Sequence, residues 1–118
     1  LSTLRGTDPA WAERLRGFAQ GEAEFLRNAA LGELVRLRDE QAAKLLETSL
    51  SSPTWSTRLA AAQGVEVLRL PEGVGWIVAQ LQQESGRMAR ELTDILFRLT
   101  GLPYGKNAGA WKNWHAQL

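Results

Sequence analysis

Phe25-Leu26-Arg27-Asn28-Ala29-Ala30-Leu31-Gly32-Glu33-Leu34 decides the fold, because its opening returns further along as Thr57-Arg58-Leu59-Ala60-Ala61-Ala62. Shifting the chain by 31 residues lays Ala30, Leu34 and Leu37 on Ala61, Val65 and Leu68, and then on Leu92, Leu96 and Leu99. A second set obeys the same shift. Leu15, Leu46 and Ile77 coincide, as do Ala19, Leu50 and Leu81, and Leu45 falls on Trp76. Within each set the residues stand three or four apart, the spacing that lines up side chains on one helix face. Two helices per period is the layout of a stacked helical repeat.

Punctuation outlines seven helices. Asp8-Pro9 supplies a capping carboxylate followed by proline at the first helical position. A first helix is expected from about Pro9 to Gln20, broken by Gly21. A second covers Glu22 to Leu37, and Asp39 caps a third over Glu40 to Leu50. Ser52-Pro53 repeats the cap-then-proline pattern for a fourth, Pro53 to Arg69. Pro71 opens a fifth that ends near Ser85-Gly86. The sixth, Arg87 to Thr100, stops at Gly101, suited to a left-handed terminal position. After a turn over Leu102 to Lys106, Asn107 caps a last helix to Gln117. Val65, Val67 and Leu68 continue a helical face, so no strand is expected there.

The 118 residues suit one domain. Hydrophobic residues at 44% and charged residues at 23% are globular usage. With no cysteine, thiolate chemistry and cysteine metal sites are excluded, and the single histidine, His115, excludes a multi-histidine cage. No metal and no cofactor is expected. The apolar runs are too short and too often broken by charge to span a bilayer. Neither is a signal peptide expected, since no basic stretch precedes an apolar core. The first helix aligns with the second helix of a repeat, so its partner is expected before Leu1, or Leu1 and Leu4 fold back over it.

The Phe25–Leu34 stretch, with its early Arg, small Ala positions and spaced leucines, resembles the first helix of a HEAT repeat. The Glu40–Leu50 and Glu72–Leu81 stretches resemble the second. The likeness covers roughly residues 9 to 101. Leu99-Thr100-Gly101, Tyr104-Gly105, and Trp111 with Trp114 resemble the capping segment of short bacterial HEAT-like arrays, although Lys106-Asn107 stands where an acidic-Pro pair is common. The resemblance implies an all-α, short right-handed superhelix occupying residues 1–118 as a single domain. Its parts are a leading helix (9–20), two repeats (22–51 and 53–85) and capping helices (87–117). It further implies a non-catalytic scaffold that binds a protein partner.

Each candidate site also admits a plainer role. Trp111 and Trp114 lie on one helix face and are read as a plug on the terminal repeat. Trp76 is read as core, and Trp55 as packing between repeats. Trp11 is expected to be exposed if a preceding helix is absent. Gly101, Gly105, Lys106 and Asn107 fail as a phosphate loop in glycine spacing and in the final residue. Glu91 and Asp94, among Arg87, Arg90 and Arg98, read as a solvated, ion-paired face. The outward positions of the second helices give the expected partner surface: Gln41, Lys44, Thr48, Glu72, Ala79 and Gln83. Two other readings remain. Residues 86–118 carry five basic and two acidic side chains, so Arg87, Arg90, Lys106 and Lys112 could contact the phosphates of a nucleic acid. Alternatively the chain is an accessory domain of a larger enzyme.

Overall fold

The computed structural model describes residues 8–118, and the positions of Leu1 and Leu4 lie outside them. Seven helices account for the ordered elements, with no strand among the described residues: α1 (Pro9–Ala19), α2 (Glu24–Arg36), α3 (Ala42–Ser49), α4 (Trp55–Leu68), α5 (Pro71–Leu81), α6 (Gly86–Thr100) and α7 (Ala108–Ala116). The starts of α2, α4 and α6, at residues 24, 55 and 86, step by 31.

Burial follows the same step. Ala30, Ala61 and Leu92 are buried, and so are Leu34, Val65 and Leu96. Leu15, Leu46 and Ile77 form a third buried set, and Ala19, Leu50 and Leu81 a fourth. Leu37, Leu68 and Leu99 pack against this core from its margin. These side chains belong to one continuous cluster. Helix α2 packs on α4 and α4 on α6, giving one row. Helices α1, α3 and α5 each pack on the even-numbered helix that follows, giving a second row, and α7 packs on α5. The molecule measures 45 × 28 × 18 Å.

Several helix ends are set as the residues dictate. The Asp8 carboxylate accepts from the Ala10 amide, with Pro9 in the first turn of α1. Asn107 caps α7 by accepting from Ala110, and Gly101 ends α6 at φ 76°. Three starts fall two residues later than the sequence suggests, and α2, which begins at Glu24, is the first of them. Asp39 accepts from the Gln41 amide and closes a turn, so α3 begins only at Ala42. Ser52 likewise accepts from the Thr54 amide, and α4 begins at Trp55. In both places a polar side chain satisfies the backbone locally and delays the helix.

Ion pairs fasten distant segments. Arg16 in α1 binds Asp39 at 2.7 Å, and Arg98 in α6 binds Glu66 in α4 at 2.6 Å. Arg58 in α4 reaches Glu84, beyond the end of α5, at 2.7 Å. Glu91 takes Arg87 at 3.5 Å. Of the charged face expected on α6, only Arg87 and Glu91 pair with each other; Arg98 turns to the neighbouring helix, and Arg90 and Asp94 make no ion pair among the described residues.

The tryptophans divide. Trp111 is fully buried, and its indole nitrogen donates to the Gly105 carbonyl at 2.8 Å. Tyr104 meets it edge-on at 5.1 Å between centroids, and Trp114 does so at 5.9 Å. This cluster covers the core at the C-terminal end. Trp76 is only part-buried against the core, because it faces the cleft beside α3. Trp55 is 49% exposed, and its ring carries the Arg87 guanidinium at 5.7 Å. The contact does join α4 to α6, but at the surface. Trp11 is 42% exposed.

Candidate functional site

The side chains proposed for partner contact lie as the period places them. Gln41, Lys44 and Thr48 are exposed at the start of α3 and along it, and Glu72 and Ala79 are exposed on α5 with Gln83 just past its end. A cleft of about 220 Å³ separates the two helices. Glu47, Leu50 and Ser51 line it from the α3 side, and Trp76, Gln80 and Gln83 from the α5 side. Of the expected residues, Ala79 and Gln83 reach this cleft. Thr48 instead lines a larger one on the other side of α3.

That second cleft, about 540 Å³, lies where the end of α1, the end of α3 and the start of α4 meet. Arg27 of α2 borders it. Its Nε donates to the Thr57 hydroxyl at 3.1 Å, and its Nη1 donates to the Gly21 carbonyl at 3.1 Å and to that of Glu22. The repeat-related Arg58 uses Nη1 in the same way, donating to the Ser52 carbonyl at 2.8 Å. Gly21 and Ser52 are themselves 31 residues apart. The arginine early in each repeat thus ties down the loop before its own helix.

The two arginines differ in what else they hold. Arg58 donates through Nε at 2.7 Å and Nη2 at 3.4 Å to the two carboxylate oxygens of Glu84. Gln80 adds a third donor to that carboxylate at 2.7 Å. Arg27 has no carboxylate partner among the described residues. The sequence marks both arginines as part of a repeated pattern. The Arg58–Glu84 pair spans 26 residues, so no local spacing announces it.

The residues considered for phosphate contact are all exposed, but they come from three elements: Arg87 and Arg90 on α6, Lys106 in the following turn, and Lys112 on α7. Arg87 is already engaged by Glu91 and by the Trp55 ring. No group of three or more histidine, aspartate or glutamate side chains could hold a metal among the described residues. No described helix is long and apolar enough to cross a membrane. Arg16 beside Asp39 holds that carboxyl below the usual carboxylate range, and Arg36 does the same to Glu33. None of these four residues lines the α3–α5 cleft.

No family model, curated protein or solved structure matches the chain.

Proposed function

We propose that the chain is a non-catalytic protein-binding module. In this reading its helices form a short HEAT-like right-handed superhelix, and a partner docks on the exposed side of α3 and α5. One observation carries the reading. Two repeat-related helices present Gln41, Lys44, Thr48, Glu72, Ala79 and Gln83 to solvent, with a cleft between them whose wall is the part-buried Trp76. Stacked helical repeats create extended surfaces of this kind. A part-buried tryptophan in a cleft is the type of anchor on which a few residues carry the binding energy.

The test compares the chain with a Gln41→Arg/Thr48→Arg/Gln83→Arg variant, both immobilised and exposed to lysate with and without nuclease. A protein captured by the native chain, resistant to nuclease and lost with the variant, is the expected result. Capture that persists with the variant moves the interface elsewhere. Capture that disappears with nuclease favours the nucleic-acid reading through Arg87, Arg90, Lys106 and Lys112. No observation favours the reading as an enzyme's accessory domain over these.

A further inference from the structure

The two repeat arginines allow one copy of the repeat to be read against the other. At Arg58 the outer edge of the guanidinium is filled by the chain's own carboxylate, Glu84. Moving back by one 31-residue period, the position equivalent to Glu84 is Pro53. Pro53 brings no charge and no hydrogen-bonding side chain. Arg27 keeps the loop-tying bonds of Arg58, but its Nε donates to the Thr57 hydroxyl where Arg58 has a carboxylate, so Nη2 is the donor left without a partner among the described residues, and the 540 Å³ cleft lies beside it.

The lining of that cleft suits an anion. Thr48, Ser49, Ser51, Ser52 and Thr54 line it, and none of its lining residues is acidic. The neighbouring carboxylate of Glu24 is taken up by the Ser56 hydroxyl instead. The first turn of α4 opens at this cleft, and its N-cap Thr54 makes no side-chain hydrogen bond to it. Amides left uncapped at a helix start add partial positive charge. A guanidinium pairs with a carboxylate through charge-assisted bonds, as Arg58 does within the same molecule, and Nη2 is the donor Arg27 has left for one.

We propose that the Arg27 cleft is a carboxylate-binding subsite that takes an aspartate or glutamate side chain of the protein partner at Nη2, beside Pro53, the position equivalent to Glu84. The proposal rests on the protein-binding reading above, and Thr48 links the two surfaces, being both a cleft residue and part of the exposed side of α3. It specifies the partner as one that offers an acidic side chain next to the segment lying on α3.

The test is an NMR titration at constant ionic strength with N-acetyl-Ala-Asp-Ala-amide, its Asn counterpart and inorganic phosphate as the three probes. The Asp peptide should shift the Arg27 guanidinium protons and the amides of Trp55 and Ser56 in a saturable way, at roughly millimolar concentration. The Asn peptide should bind at least about tenfold more weakly, since it loses the charge-assisted bonds. Pro53→Glu restores the internal carboxylate and should abolish the shifts while the helix content stays native. Glu84→Gln should do the reverse and add a second saturable set of shifts at the Arg58 Nε–H. Equal response to the Asp and Asn peptides, or a response untouched by Pro53→Glu, overturns the proposal. Phosphate binding tighter than the Asp peptide also overturns it, in favour of a phosphate subsite. A failed titration leaves the pull-down contrast at Gln41, Thr48 and Gln83 unaffected, so the two readings fail separately.

Discussion

Arg38 and Arg69, 31 residues apart, share one backbone conformation, the left-handed one with φ 53°. Each follows the last turn of its helix and makes the same pair of bonds. The Arg38 and Asp39 amides donate to the Val35 and Leu34 carbonyls, and the Arg69 and Leu70 amides to those of Glu66 and Val65. This 6→1 and 5→2 pattern is the usual helix stop, and its left-handed residue is ordinarily glycine. Holding an L-residue there costs about 1–2 kcal/mol, partly offset because glycine has more freedom to lose on folding. Arg38→Gly should therefore stabilise the chain by about 0.5–1 kcal/mol and raise Tm by a few degrees in a thermal melt. Arg69→Gly should gain less, because the Arg69 side chain also donates to the Arg98 carbonyl. A lower Tm for Arg38→Gly would mean that its side chain holds something beyond the turn.

Two helical glycines should answer oppositely to alanine. A Cβ on Gly64 would lie 2.7 Å from Leu46 Cδ2 and 3.0 Å from Val35 Cγ2, in the middle of the core. One on Gly32 would meet nothing within 4 Å. Gly64→Ala should cost about 1–3 kcal/mol through overpacking. Gly32→Ala should gain about 0.5–1 kcal/mol, since alanine is the better helix former and nothing obstructs it. Urea melts of the two variants should move their midpoints in opposite directions. Similar shifts for both would mean that helix propensity outweighs packing at Gly64.

The same residues show what could be read in the chain beforehand. The 31-residue step, the buried sets at Leu15, Leu46 and Ile77 or Ala30, Ala61 and Leu92, and the all-helical class were legible, because a buried helix face must repeat its apolar spacing whatever it packs against. Helices α3 and α4 begin two residues later than their capping patterns suggest, because Asp39 and Ser52 close turns instead of capping helices directly. Trp76 shares its register with the buried Leu45, yet it ends beside a cleft. Register fixes the direction of a side chain, and an indole is too large for the space that a leucine fills. The candidate partner face was legible as the outward complement of the core. The unmatched arginine was not, since it depends on Glu84 folding back from the end of α5.

Trp111 should be the most sensitive single position at the C-terminal end. It is fully buried, it donates to the Gly105 carbonyl, and Tyr104 and Trp114 pack edge-on against it. Trp111→Ala should cost about 3–5 kcal/mol through the cavity it leaves. Trp111→Phe keeps most of the apolar volume but strands the carbonyl, and should cost about 1–3 kcal/mol. Equal losses in the two variants would assign the stability to the hydrogen bond, not to the packed ring.

The Arg16–Asp39 pair predicts how stability responds to acid. Arg16 lies in α1 and Asp39 in the turn before α3, and the pair carries two bonds, at 2.9 and 2.7 Å. The hydrogen bond from Arg16 is the main cause that lowers the Asp39 pKa, and the Gln41 amide adds to it against the opposing effect of burial. A carboxylate with a lowered folded pKa binds fewer protons folded than unfolded around its ordinary value of about 3.9. Its contribution is therefore complete above that value and is lost as pH falls towards the folded pKa. Asp39→Asn removes the charge at every pH. The native chain should exceed Asp39→Asn in Tm at neutral pH, and the gap should narrow steadily below about pH 4. Melts of both chains across pH 2 to 7 would read this directly. A gap that stays constant down to pH 2 would show that Asp39 acts through its turn geometry, with the Arg16 charge contributing nothing.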